Sequence, residues 1–191
     1  QVTFDAEDNP MLRIDPNGTR ISGNFDLAGR LVARSIEAPP PVGGTTFQTF
    51  EYDGLSRLTR TIDNNEPLDP SDDANVSFLY DSLGRLLEEA QASAGGPGGG
   101  TARLSDMAWQ AADLLTGLTY PSGDQVLYGY DGAERLRTMN DMLHPELMAT
   151  FEYFGMGRMH TRISGNGVRM TFLDDSGTRD TGYDGVGRPI R

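Results

Sequence analysis

The sequence predicts an all-β protein, an antiparallel meander of short hairpins forming a curled repeat sheet. Three observations carry that prediction. A motif of the form aromatic-Asp-x-x-Gly-Arg recurs along the whole chain, a second kind of turn falls between its copies, and the arms between turns alternate with period two.

The motif is fullest at Tyr80-Asp81-Ser82-Leu83-Gly84-Arg85-Leu86. Further copies stand at Phe25-Asp26-Leu27-Ala28-Gly29-Arg30, Tyr52-Asp53-Gly54-Leu55-Ser56-Arg57 and Tyr130-Asp131-Gly132-Ala133-Glu134-Arg135. Two more are Tyr153-Phe154-Gly155-Met156-Gly157-Arg158 and Tyr183-Asp184-Gly185-Val186-Gly187-Arg188. Asp is favoured at the first position of a type I turn and Gly at the fourth, and a left-handed Gly after such a turn closes a hairpin through a bulge. Each copy is therefore expected to be a hairpin corner with strand residues on either side. Ser56 and Glu134 replace the Gly, so those two corners are expected to be looser.

Composition narrows the class of protein. The 24 Gly and 11 Pro among 191 residues make about 18%, below the roughly 25–30% that marks disorder. No apolar run approaches the ~18 residues of a membrane span, and no basic-then-apolar leader opens the chain. There is no cysteine, which removes disulfides and thiolate metal sites. All 16 cations are arginines, set against 28 acids for a net charge of −12. A chain this acidic repels phosphate backbones, so nucleic acid is not an expected partner.

In chain order, a degenerate copy opens at Phe4-Asp5-Ala6-Glu7-Asp8-Asn9, with Asn9 expected in the left-handed position. The second turn type follows at Asp15-Pro16-Asn17-Gly18 and returns at Tyr120-Pro121-Ser122-Gly123. Two strands of about 6 or 7 residues and two four-residue turns need roughly 21 residues, the spacing from Phe4 to Phe25. Longer intervals carry insertion loops near 37–44 and 64–75, and a glycine-rich loop occupies 92–100. A phosphate-binding loop needs a lysine after its last Gly, and the chain has none.

Residues 101–118 admit two readings. Leu104, Met107, Ala108, Ala111 and Leu115 fall at helical spacing, but Trp109 lies 29 residues after Tyr80 and 21 before Tyr130, where a motif aromatic is due. A worn repeat is favoured over a short helix. Elsewhere Val76, Phe78 and Tyr80 alternate with Ser77 and Leu79, and Ala149, Phe151 and Tyr153 alternate with Thr150 and Glu152. These are half-buried strands whose motif aromatics share a face. After Ser164-Gly165-Asn166-Gly167 the repeat parity is irregular, because Tyr183 follows Leu173-Asp174-Asp175-Ser176-Gly177 by only half a period. The chain ends where a strand is due, which reads as a piece of something longer.

Candidate chemistry is sparse. Asp175-Ser176-Gly177 and Asp180-Thr181-Gly182 match the aspartic-protease tripeptide, but two loops five residues apart cannot oppose each other across a cleft. His144 and His160 are the only histidines, too few for a multi-His metal site. The acids Asp69, Asp72 and Asp73 lack the glycine and spacing of an EF-hand, and read as a solvated loop. The motif arginines are expected to pair with the motif Asp across each corner. No catalytic, cofactor-binding or metal residue is assigned; the residues singled out are structural.

The (Tyr/Phe)-Asp-x-x-Gly-Arg motif at intervals of 20 to 30 residues, with Asp-Pro-Asn-Gly or Tyr-Pro-Ser-Gly between copies, resembles the Rhs or YD-repeat family. The resemblance covers nearly the whole chain. It implies a sheet spiralling into a hollow shell, which encloses a C-terminal toxic segment in bacterial polymorphic toxins and in the BC components of insecticidal toxin complexes. Teneurins carry a related barrel at the cell surface. No counterpart of the family's self-cleaving core region is visible, so only the shell wall carries over. The chain then reads as one array of about eight repeats, a partial β-shell in a secreted or surface bacterial protein. Its expected partners are the rest of that shell and an enclosed effector, with edge-to-edge self-association of the fragment. The alternative is a carbohydrate-binding or adhesion module; an enzyme is not expected.

Overall fold

The computed structural model describes residues 1–64, 73–93, 102–143, 147–155 and 157–172. Contacts within the chain divide it into two compact units, Gln1–Leu104 and Ser105–Arg191. Every regular element among the described residues is a strand.

The first unit contains β1 (Val2–Phe4), β2 (Pro10–Ile14), β3 (Arg20–Phe25), β4 (Leu31–Glu37), β5 (Phe47–Tyr52), β6 (Leu58–Asn64), β7 (Ala74–Tyr80) and β8 (Leu86–Ser93). Each pairs antiparallel with the next in sequence. The second unit holds β10 (Leu115–Thr119), β11 (Gln125–Tyr130), β12 (Leu136–Asp141), β13 (Leu147–Phe154), β14 (Arg158–Ser164) and β15 (Arg169–Thr171), with β9 (Arg103–Trp109) beginning just ahead of it. These too form a meander in sequence order. The all-β antiparallel fold is as the sequence predicts. The helical reading of 101–118 fails: Trp109 ends β9, and the Gln110 amide donates to the Leu114 carbonyl across a motif-type corner.

Few side chains are buried, because a meander of single hairpins supplies no second layer within a unit. Val126 and Ala149 are the buried apolar residues among those described, and Thr161 is fully enclosed. The rest of the strand residues are half-buried or exposed, so order rests on the backbone ladder and on what happens at the corners.

The two turn types prove to share one backbone. At Asp81–Arg85 the Asp81 amide donates to the Arg85 carbonyl (2.9 Å), and the Gly84 amide donates back to the Asp81 carbonyl (3.1 Å). Asp15–Thr19, Tyr120–Asp124 and Ser164–Val168 repeat this pair of bonds, with a left-handed fourth residue at Gly18, Gly123 and Gly167. What distinguishes the motif hairpins from these three is a register shift just outside the corner. Leu79 opposes Glu88 whereas Tyr80 opposes Leu86, leaving Leu87 as the extra residue of a bulge. The same shift recurs between Asn24 and Phe25, Glu51 and Tyr52, Gly129 and Tyr130, and Glu152 and Tyr153. The hairpins at the second turn, β2–β3, β10–β11 and β14–β15, have none.

Two sequence expectations are corrected. Asn9 is not the left-handed residue of the first corner; Asp8 is, at φ 63°. Asn9 stands where the motif has Arg, and its side-chain amide donates to Asp5 Oδ2 at 2.9 Å. Nor are the Ser56 and Glu134 corners looser. Both residues adopt the left-handed conformation (φ 62° and 61°), and their closing bonds are 2.9–3.0 Å, like those of the glycine corners. Strand pairing on both sides and the Asp side chain fix the turn, so a non-glycine residue costs stability and leaves the geometry unchanged.

The insertion near 37–44 leaves β4 and returns at β5, with a turn in which the Val42 amide donates to the Pro39 carbonyl. Most of the insertions near 64–75 and 92–100 lie outside the described residues, as do the Tyr183 copy and everything after Phe172.

Candidate functional site

The motif residues converge at each corner, and the Asp is consumed there. Asp26 Oδ1 accepts the amides of Ala28 (2.9 Å) and Arg30 (3.0 Å), and its Oδ2 accepts Arg30 Nε at 2.7 Å. Asp53 holds Leu55 and Arg57 in the same way, Asp81 holds Leu83 and Arg85, and Asp131 holds Ala133 and Arg135. The expected Asp–Arg pairing is therefore present at these four corners.

All four carboxyls sit below their ordinary range. The backbone amide of Arg30 and then its side chain lower Asp26; the Arg57 amide leads at Asp53. At Asp81 desolvation is the largest influence and pushes upward, but the bonds from Arg85 and Leu83 outweigh it. The Arg135 side chain and amide bring Asp131 down to about 2. A carboxylate so tied is a turn cap, poorly placed to move protons at neutral pH.

Arg30, Arg57 and Arg135 also reach the next repeat. Arg57 Nη1 donates to the backbone carbonyl of Asp81 (3.0 Å), and its guanidinium lies 4.8 Å from the centre of the Tyr80 ring. Arg30 does the same to the Asp53 carbonyl (3.2 Å) and the Tyr52 ring (4.9 Å), adding the Ser56 hydroxyl. Arg135 reaches the Gly155 carbonyl (2.6 Å) and the Tyr153 ring (4.7 Å).

The tyrosine answers in the opposite direction. The hydroxyls of Tyr52, Tyr80, Tyr130 and Tyr153 donate to the carbonyls of Leu31, Leu58, Leu115 and Leu136, at 2.7–2.9 Å. Those leucines immediately follow the arginine position of the preceding corner. The polar groups of the motif thus tie one hairpin to the next, a link the sequence reading missed. The signal was present in the constant order Tyr, Arg, Leu, but the acceptors are backbone carbonyls, which no side-chain pattern displays.

Three corners depart from the rule. Asn9 replaces the first Arg. Leu114, half-buried, replaces the fifth, with left-handed Asp113 in the Gly position. At the Tyr153 copy Phe154 stands in place of Asp, and Gly155 and Gly157 both have positive φ ahead of Arg158. Tyr183, Asp184, Gly187 and Arg188 fall outside the described residues, as do His144, Asp69, Asp72 and the two Asp-Ser/Thr-Gly tripeptides. His160 Nδ1 lies 2.8 Å from the Thr161 hydroxyl. Among the described residues no three metal-ligating side chains cluster, and no helix is long and apolar enough to cross a membrane.

No family model and no curated protein matches the chain. Solved structures do. The chain is similar to part of a crystal structure of TcdB2-TccC3-TEV, with a TM-score of 0.71 and 14% identity over 99% of this chain and 10% of that one. TcdB2-TccC3 without its hypervariable C-terminal region gives 0.70 at 14% identity over the same shares. The Tc holotoxin pore of Photorhabdus luminescens gives 0.71 at 15%, again over 99% and 10%. The chain thus spans about a tenth of each of these structures. At such identity the likeness establishes the fold, an antiparallel β-meander found within Tc toxin components.

Proposed function

We propose that this chain is one stretch of the wall of an Rhs-type β-shell, a single array of about eight repeats whose parent encloses a C-terminal toxin or effector. The observation that carries the reading is the corner-to-corner linkage. Arg30, Arg57 and Arg135 each give one nitrogen to their own corner Asp and place another, with the cationic face, on the next hairpin, and the tyrosine hydroxyls are spent on the previous one. A motif whose polar atoms are committed to its neighbours serves architecture, and on this reading the chain is not an enzyme. Likeness to the TcdB2-TccC3 and Tc holotoxin structures supports the same reading. On this reading the parent is a secreted or surface protein of a bacterium.

Cryo-electron microscopy of the full-length parent tests this. The expected result is this stretch in a continuous sheet, strand-paired at both ends, with the segment that follows the repeats inside. A free-standing module, or that segment lying outside the sheet, would overturn it. Isolated, the 191-residue chain presents β1, whose residues are all exposed, as an unpaired edge, and is expected to self-associate by edge pairing. Light scattering showing a monomer at high concentration would count against that expectation.

A further inference from the structure

The first corner contains an arginine place without its arginine. At the Arg30 and Arg57 corners a guanidinium lies over the next aromatic ring and donates to the next Asp carbonyl, which then accepts two bonds. The Asp53 carbonyl takes Ser56 N (3.0 Å) and Arg30 Nη1 (3.2 Å); the Asp81 carbonyl takes Gly84 N (3.1 Å) and Arg57 Nη1 (3.0 Å). Asn9 is too short to reach Phe25 and Asp26 in that way. Among the described residues the Asp26 carbonyl accepts the Gly29 amide alone.

An open depression of about 720 Å³ occupies this position, lined by Asp5, Glu7, Asn9, Phe25, Asp26 and Gly29 among others. Asn9 Oδ1 stands 3.5 Å from where a Cβ on Gly29 would be, and Arg57 Nη1 stands 3.6 Å from the same point on Gly84. An amide oxygen thus stands about as far from Gly29 as a guanidinium nitrogen stands from Gly84 two corners later. The groups around the depression are the carboxylates of Asp5, Glu7 and Asp26, an amide oxygen, a backbone carbonyl and an aromatic ring, a set suited to a planar cation bearing several donors.

We propose that this depression binds a guanidinium, an arginine side chain presented by another polypeptide. The ligand would repeat from outside what Arg30 and Arg57 do from within: stack on Phe25 and donate to the Asp26 carbonyl and to Asn9 Oδ1. A lysine ammonium satisfies the carboxylates but does not span ring and carbonyl together. The net charge of −12 draws cations toward the chain generally, so the discriminating property is the order arginine over lysine. The inference stands independently of the wall reading, since it rests on one corner compared with its neighbours.

The test is an NMR titration of the ¹⁵N-labelled 191-residue chain with N-acetyl-arginine amide and its lysine and citrulline counterparts. Arginine amide should give saturable shifts at the amides of Asn9, Phe25, Asp26 and Gly29, bind about fivefold tighter than lysine amide, and leave citrulline without effect. Asn9→Arg should abolish those shifts by filling the place internally, and Phe25→Leu should weaken binding several-fold. Absence of saturable shifts at these amides, equal shifts from citrulline, or undiminished binding in Asn9→Arg would each overturn the proposal. Should Asn9→Arg fail to fold, undiminished binding in Phe25→Leu overturns it alone.

Discussion

The guanidinium of Arg57 lies 4.8 Å above the ring of Tyr80, whose hydroxyl donates at 2.9 Å to the carbonyl of Leu58, the residue next to that arginine. Two residues from successive repeats thus hold each other twice, once through a ring face and once through the backbone beside the cation. Neither contact lies within a single hairpin. Stability of such an array should depend on neighbour terms of this kind as well as on each repeat alone.

A double-mutant cycle on Arg57→Ala and Tyr80→Leu measures the first contact. The expected coupling is about 0.5–1 kcal/mol, the value for a partly exposed cation over an aromatic ring. Arg57→Lys should recover little of the loss, because an ammonium cannot hold Asp53 Oδ2 and the Asp81 carbonyl at once. Additive urea midpoints would show that the ring and the guanidinium do not act together.

The second contact is isolated by Tyr80→Phe, which keeps the ring and removes the donor to Leu58. A cost of about 1 kcal/mol is expected. Phe25 already lacks that hydroxyl, so Phe25→Leu should show no comparable hydrogen-bond component. Equilibrium unfolding of both variants beside wild type supplies the comparison.

The left-handed corner position gives a prediction of opposite sign at two sites. Glu134 holds φ 61° with an exposed side chain, so Glu134→Gly should stabilise by about 0.5–1 kcal/mol. Gly84 holds φ 88°, and a Cβ there would meet only Arg57 Nη1 at an ordinary 3.6 Å. Gly84→Ala should therefore cost about 1–2 kcal/mol, through the backbone and not through a clash. Ser56→Gly is a poorer test, because the Ser56 hydroxyl receives Arg30.

These positions also show what was legible in the sequence. Corners could be placed because turn chemistry is local: Asp81 and Gly84 declare a type I turn by themselves. Trp109 could be recognised as a worn motif by its distance from Tyr80 and Tyr130, although of that copy only Leu115 otherwise survives. Asn9 was misplaced because Asn serves two roles, tolerating a left-handed backbone and capping a carboxylate, and only the offset from Asp5 decides between them. The bulge at Leu87 and the Tyr80–Leu58 bond were hidden for another reason. Register shifts and carbonyl acceptors belong to the backbone, and the sequence pattern records side chains.

The corner carboxylates make stability depend on acid in a defined window. Asp131 has its pKa lowered from 3.8 to about 2, chiefly by the Arg135 side chain and amide. A group whose folded pKa is depressed contributes stability that is fully present above its unfolded value and is lost as pH falls through the folded one. The contribution of Asp131 is thus intact at neutral pH, begins to fade near 3.8 and is gone below about 2. Asp26, Asp53 and Asp81 shift in the same direction and steepen the loss. Asp131→Asn removes one titrating group while leaving an oxygen to accept the Ala133 and Arg135 amides. Its urea midpoint should lie below that of wild type at neutral pH, and the difference should shrink as pH falls through that window. A gap of constant size across the same range would mean that the Asp131–Arg135 pair is equally formed in the unfolded chain.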